Sequence, residues 1–355
     1  MRKRLSIIRI LKMVGLVWLA LWGLPQTAPA IAAECAADPT GPTNRVIIGG
    51  IDLGALPKYL FFFADGSQDA NWQGATKGFV GDVVVDGILA QERTSGAVPY
   101  AGTIFTNDTT LSAWQKIVDQ NFGQAFASTV LTDPGNTTLV SNLKDDLLYA
   151  IAQINGLAPT PGFESRSAQS LDGLDTTNSI AETIVINVTS GFKVSSQIYI
   201  MGDPDDVFVL RWDTDADATN GYQGQVKFQS GGAIVPLGNL TANNFIHVAG
   251  DINASGGGSN PSLPYPQGPR LDDGTGALIN GAKDFSGGGF FTGYWLTTGA
   301  PTNIYDAVNQ IYYGKTQSLS NAIFVGGWYT LTDKFSMTSG TSGVHVCPGV
   351  QLIPG

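Results

Sequence analysis

The feature that most restricts this chain is a succession of short apolar runs, each cut off by Gly, Asn or Asp. Thr183-Ile-Val-Ile-Asn-Val188, Val207-Phe-Val-Leu210, Gln225-Val-Lys-Phe228, Ala233-Ile-Val-Pro-Leu237 and Asn244 to Val248 are all β-branched or aromatic and too short for helices. They recur at intervals of roughly 12 to 20 residues, too far apart for tight hairpins and suited to parallel strands joined by crossovers. No strict consensus repeats, so any repeat architecture is a degenerate one.

The run around Ser195 to Trp212 shows the pattern at its clearest. Ile198 and Ile200 share one face of an extended segment, because side chains alternate with period two. Gly202-Asp-Pro204 then turns the chain: Gly tolerates positive φ, Asp caps backbone N–H groups and Pro cannot continue a ladder. Val207-Phe-Val-Leu210 resumes without a polar alternate, the signature of a strand buried on both faces.

Composition supports a β-rich, exported chain. Only 14% of residues are charged, and Gly, Ser, Thr and Asn abound, which suits many turns and few helices. Residues 1–32 read as a signal peptide: Arg2, Lys3, Arg4, Arg9 and Lys12 precede an apolar stretch from Met13 to Leu24 and a small-residue cleavage site at Ala30-Ile-Ala32. The apolar stretch is shorter than the ~20 residues that span a bilayer, so no membrane anchor is expected after cleavage. The leader carries five basic and no acidic residues, so its removal takes the formal charge from −10 to −15. Such a balance excludes general nucleic-acid binding.

Residues 33–355 are expected to form one domain. Leu60-Phe-Phe-Phe63 and Phe79 to Val85 read as its first buried strands, separated by a polar loop from Asp65 to Lys77. From Asp108 to Gly156 the period changes. Leu111, Trp114, Ile117, Val118, Phe122 and Phe126 recur at helical spacing after an Asp108 N-cap. Asp133-Pro-Gly135 interrupts, and Leu139, Leu143, Leu147, Leu148, Ile151 and Ile154 restart the pattern. One split helix and a helix with an inserted segment are both compatible with this. Asp251 to Gly289, rich in Gly, Pro and Ser, reads as a surface excursion.

Several segments, in order, resemble a known family. Gly202-Asp-Pro-Asp-Asp-Val-Phe-Val209 resembles the Gly-Asp-Pro-x-x-Val-Phe signature of the ice-binding-like domain family (the DUF3494 family). Gly81-Asp-Val-Val-Val-Asp-Gly87 and Gly102-Thr-Ile-Phe-Thr-Asn-Asp108 resemble its Gly-Asp-Leu-Gly-Val and Gly-Thr-Ile-x-x-x-Asp segments ahead of a helix. Asn244-Phe-Ile-His-Val-Ala-Gly250, Phe291-Thr-Gly-Tyr-Trp-Leu296 and Val325-Gly-Gly-Trp-Tyr-Thr-Leu-Thr332 resemble its later coils. The resemblance implies a mainly β fold, a right-handed β-solenoid (β-helix) with an accompanying α-helix packed alongside. It also implies a secreted, non-enzymatic protein whose partner is the surface of an ice crystal.

Chemistry has little to work with. His247 and His345 are the only histidines. His247 alternates with Ile246 and Val248, so it points to the opposite face and reads as a surface or internally satisfied histidine. Arg45-Val-Ile-Ile-Gly-Gly50 resembles an activated trypsin-like N-terminus, but no Gly-Asp-Ser-Gly segment supplies a nucleophile. Asp213, Asp215 and Asp217 alternate as calcium ligands do, yet Ala218 and Gly224 stand where an EF-hand needs Gly and Glu. A solvated acidic turn and a structural calcium site both remain open. Neither an organic cofactor nor an enzymatic activity is expected. Cys35 and Cys347, near the two ends, form a disulfide in an oxidising compartment or remain two distant thiols.

The remaining candidate is a surface. Neighbouring parallel strands lie about 4.8 Å apart and same-face residues repeat at about 6.7 Å, so outward hydroxyls form a two-dimensional lattice. Thr330 and Thr332 share one face of a strand, as do Ser336 and Thr338; Thr292, Thr297, Thr298 and Thr341 lie nearby. These eight are the candidate ice-binding face, against an ordinary solvated β-surface. The alternative function is an extracellular structural or adhesive module binding protein or polysaccharide, with Tyr294, Trp295, Tyr312 and Tyr313 lining a groove.

Overall fold

The computed structural model describes residues 45–64, 71–72, 78–86, 100–107, 128–132, 135–212, 225–255, 289–298, 304–306, 311–313, 317–319, 322–331, 335–337 and 342–344. The protein is mainly β with a single α-helix, Gly135–Asn155, among these residues. The leader, Cys35, Cys347, Asp213 to Asp217, Thr332, Thr338, Thr341 and the expected helix after Asp108 lie outside the described residues.

Apart from two antiparallel pairs, Ile47–Ile48 with Ile51–Asp52 and Ile304–Asp306 with Ile311–Tyr313, the described strands form three parallel walls, of which the first two belong to one 15-stranded sheet. The first runs Arg166–Ser167, Thr183–Ser190, Val207–Trp212, Phe245–Ala249, Phe290–Thr297, Ile323–Thr330, Phe61–Phe63, Val83–Val85, Tyr100–Thr106, Ser128–Thr132. The second pairs Leu174–Asp175, Gln197–Gly202 and Ala233–Gly238. It continues through the N-terminal ends of Phe290–Thr297 and Ile323–Thr330 to Ser342–Val344 and Gly78–Val80. The third is a separate six-stranded sheet in the order Lys193–Val194, Gln225–Gln229, Asp251–Ser255, Gln317–Leu319, Phe335–Met337, Asn71–Trp72. From Thr183 onward the chain visits the first, third and second walls in turn and then repeats, so every return to a wall is a parallel crossover.

Two corners differ in kind. After Gln197–Gly202 and Ala233–Gly238 the chain needs an explicit turn to pass from the second wall to the first. In Phe290–Thr297 and Ile323–Thr330 one unbroken strand crosses the corner at Gly293 and Gly326, with φ of +95° and +130°. The second wall's Gly78–Val80 and the first wall's Val83–Val85 are likewise separated by Gly81. The expected single strand from Phe79 to Val85 is therefore two.

The walls enclose the main core. Ile184, Ile186, Phe208, Leu210, Trp212, Trp295, Phe324 and Trp328 point inward with Ile198, Ile200, Val226, Phe228 and Ile252 from the other walls. Aromatic rings stack within it: Phe208 lies 5.2 Å from Phe245 and Phe291 4.8 Å from Phe324, the ring planes of each pair nearly parallel.

The outer side of the first wall is equally apolar, which explains the strands with no polar alternate. Val185, Val207, Val209, Ile246, Val248, Tyr294, Leu296 and Tyr329 pack against Val140, Leu143, Leu147, Ile151 and Ile154 of the helix and against Ile51, Leu53 and Leu56. Leu148, at helical spacing in the sequence, is exposed instead; Ala150 takes the buried position. The helix lies on the edge of two faces, and packing against a flat sheet selects the stripe centred on Leu143, Leu147 and Ile154. At its C-terminus Arg211 donates from Nη1 to the carbonyls of Ile154, Asn155 and Leu157, at 3.3, 3.4 and 2.8 Å. A buried guanidinium thus satisfies groups that the helix leaves unpaired and meets the negative end of its dipole.

Two segments read as loops contribute strands. Asn71–Trp72 lies within the polar stretch after Asp65, and Asp251–Ser255 opens what reads as a surface excursion. Each offers too few apolar residues to register as a strand, yet its pairing places it in the six-stranded sheet.

Candidate functional site

The Gly202 to Asp206 corner is where chemistry would be sought first, since it concentrates carboxylates. Asp206 is buried, and its carboxylate accepts from Asp203 N at 2.9 Å, Glu182 N at 3.0 Å and Thr176 Oγ1 at 2.8 Å. Asn244 Nδ2 donates to the carbonyls of Pro204 and Asp206 at 2.8 and 2.7 Å. A Cβ on Gly202 would lie 2.7 Å from Thr176 Oγ1. Asp206 therefore knots three segments together with N–H and O–H donors that occupy its lone pairs. The motif is architectural.

His247 is buried in the core. Trp212 Nε1 donates to its Nδ1 at 3.1 Å, so the ring proton sits on Nε2 and is donated to Thr292 O at 3.0 Å. The ring stacks on Trp295 at 3.9 Å. Burial drives its pKa down to about 3, partly opposed by the Thr292 bond. It occupies the face opposite Ile246 and Val248 and is internally satisfied. No group of three or more His, Cys, Asp or Glu that could hold a metal ion occurs among the described residues.

The threonine face requires correction. Thr292, Thr297 and Thr330 are buried, at 0–1% exposure, and cannot touch ice. Thr292 Oγ1 donates to Ile234 O at 2.9 Å, and Thr297 Oγ1 accepts from Trp328 Nε1 at 3.0 Å. Alternation exposes every second residue only where one face of a strand is wet, whereas these strands carry the main core on one side and the cluster of the helix and residues 51–64 on the other. Thr298 is half-buried. Tyr294 and Trp295 are also fully buried, with Tyr294 OH donating to Asn243 Oδ1 at 2.6 Å, so neither lines a groove.

The second wall presents no open surface over its middle, because Ala233, Val235, Phe290, Ile323 and Val325 on its outer side are buried too. The six-stranded sheet is different. Its inward row runs Val194, Phe228, Ala254, Leu319, Met337 in register, all five buried, and Trp72 holds the same register position on the last strand. The preceding position on each strand forms a second row: Lys193, Lys227, Asn253, Ser318, Ser336, Asn71. Lys193 is exposed, and Lys227 and Asn253 are half-buried. Four successive strands therefore carry short uncharged residues at one register position, spaced by about 4.8 Å. Ser336 is the one member of the expected face that the structure sets in this row. Asp251, two positions from Asn253, is buried.

Asn71, Asn253 and Ser318 escaped the sequence reading because strands of two to five residues carry little periodicity. The alternation of Val226 with Phe228 and of Ile252 with Ala254 is the signal that would have found the sheet.

No protein-family model matches the sequence, and no curated protein matches it either. Solved structures do. The chain is similar to an ice-binding protein from the Antarctic ascomycete Antarctomyces psychrotrophicus, at 12% identity and a TM-score of 0.42, covering 84% of this chain and 99% of that one. It is similar to an ice-binding protein from an Arctic yeast at 11% identity and 0.43, covering 85% and 97%. It is also similar to the DUF3494 domain of Shewanella frigidimarina ice-binding protein_1, at 13% and 0.41, covering 85% and 99%. At such identities and TM-scores the likeness assigns no ligand to this chain.

Proposed function

We propose that this chain is an exported, right-handed β-solenoid that adsorbs to ice through its six-stranded face and so slows crystal growth and recrystallisation. The cyclic order in which the chain visits its three walls, with every return parallel, supports the winding. The ordered series of motifs resembling the ice-binding-like family supports the activity.

The observation that carries the reading is the row Asn253, Ser318, Ser336, Asn71, four short uncharged residues in register on one sheet. Ice is a flat, uncharged, periodic ligand. It is matched by a rigid surface whose groups hydrogen-bond to water without imposing a charged hydration shell. The outer side of the first wall packs against the helix and residues 51–56, and the middle of the second wall is buried, whereas Lys193 on the six-stranded sheet is exposed and Lys227 and Asn253 are half-buried, which favours this sheet.

Partition into ice tests the reading. Slow growth of an ice front through a dilute solution should enrich this protein in the solid relative to an acidic globular control. Equal exclusion of both proteins from the ice would refute it.

A further inference from the structure

The row that is uncharged over four strands ends in two lysines. Lys193 and Lys227 are direct register partners on adjacent parallel strands, so their Cα atoms stand about 4.8 Å apart. Like charges placed opposite each other on a sheet are destabilising. Ion pairs among the described residues are those of Arg45 with Asp52 and Asp146, so no described carboxylate neutralises either lysine. In a chain of net charge −10 this is a positive doublet, uncompensated among the described residues, on an otherwise uncharged row.

A second element stands beside it. Ile304–Asp306 and Ile311–Tyr313 form an antiparallel hairpin with Tyr305 opposite Tyr312 and Ile304 opposite Tyr313. The Ile311–Tyr313 strand lies against Gln225–Gln229, the strand that carries Lys227. The hairpin thus carries Tyr305, Tyr312 and Tyr313 on a strand pair whose second strand neighbours Gln225–Gln229.

The geometry points to a second binding function: Lys193 and Lys227 engage an acidic polysaccharide of the uronic acid type, laid across the strands. A pyranose ring is about as long as the strand spacing, so successive sugars meet successive rungs. Carboxylates borne on adjacent rings then fall at the two lysines, while Asn253 offers amide hydrogen bonds to sugar hydroxyls. Tyrosine beside the same strand supplies the residue type that stacks on sugar faces. A polyanion supplies the charge that no described carboxylate does, and the overall negative charge limits attachment to this doublet.

Surface plasmon resonance on immobilised alginate, with immobilised dextran as the neutral control, tests this. The protein should bind alginate and not dextran, and lose the binding as salt is raised. K193Q/K227Q should weaken binding at least ~tenfold, whereas K58Q/K144Q, which removes the same charge elsewhere, should change it less than ~twofold. Equal loss in both double variants, equal binding to dextran, or no alginate binding by the folded parent would overturn the assignment. Ice partition measured on the same variants separates the two functions: K193Q/K227Q should retain it, because Asn253, Ser318, Ser336 and Asn71 are untouched.

Discussion

Gly326 lies directly over Gly293: a Cβ built on Gly326 would stand 2.2 Å from the Gly293 carbonyl oxygen, and its φ of +130° is one that L side chains rarely adopt. These two glycines let strands Phe290–Thr297 and Ile323–Thr330 pass from one wall to the next without breaking. Gly326→Ala should therefore cost about 2–4 kcal/mol, through strain and a forced opening of the stack. Urea unfolding should show a lower midpoint at unchanged slope, and Gly50→Ala, which meets nothing within 4 Å, should cost less.

His247 makes stability depend on pH. Its folded pKa of about 3 lies below the ordinary 6.5, because burial penalises the imidazolium. The unfolded chain therefore takes up the proton first as pH falls. The contribution is complete above pH 6.5 and is lost progressively as pH drops towards 3. Between pH 6.5 and pH 5 the loss should be about 1.6 kcal/mol. His247→Gln should be less stable at neutral pH but flatter across that interval; an unchanged slope would show that His247 is not the titrating group.

Arg211 ties the helix to the first wall, since its guanidinium bonds the carbonyls of Ile154, Asn155 and Leu157 and the Oδ1 of Asn187. Arg211→Met should cost about 3 kcal/mol, because buried carbonyls lose their donor. Lysine at the same position should restore only part, lacking the planar fork. Thermal unfolding by circular dichroism distinguishes the three proteins.

The C-terminal strands hold the N-terminal ones in place. Ser342–Val344 pairs with Ile323 to Val325 on one side and Gly78–Val80 on the other, and Phe335–Met337 lies between Gln317–Leu319 and Asn71–Trp72. Deleting residues 335–355 should leave strand Asn71–Trp72 without the neighbour it pairs with and Gly78–Val80 with Tyr100–Thr106 alone. Hydrogen exchange should then lose protection first at Asn71 and Trp72 and fall in part at Phe79 and Val80, while Val207 to Trp212 stay protected.

How much of this was legible in the sequence depended on strand length. Val207 to Leu210 announced burial on both sides because four apolar residues in succession leave no wet face, and the helix around Leu143 and Leu147 announced itself by period. The threonine face did not survive. Thr330 and Thr297 alternate with Tyr329 and Leu296 as surface residues would, and nothing in a local pattern tells that the helix covers the aromatic side while the core takes the threonine side. The polar row was invisible for the opposite reason: Asn71–Trp72 is two residues long, and only pairing with Phe335–Met337 makes it a strand.

The central claim is that the six-stranded face meets ice, and ice recrystallisation inhibition by paired variants tests it most directly. S318Y/S336Y places bulk in the middle of the row, while T138Y/S141Y places the same bulk on the exposed side of the helix. The parent and T138Y/S141Y should inhibit recrystallisation, and S318Y/S336Y, folded by circular dichroism, should not. Inhibition by all three would show that ice binds elsewhere, and a folded parent without activity would contradict the function itself.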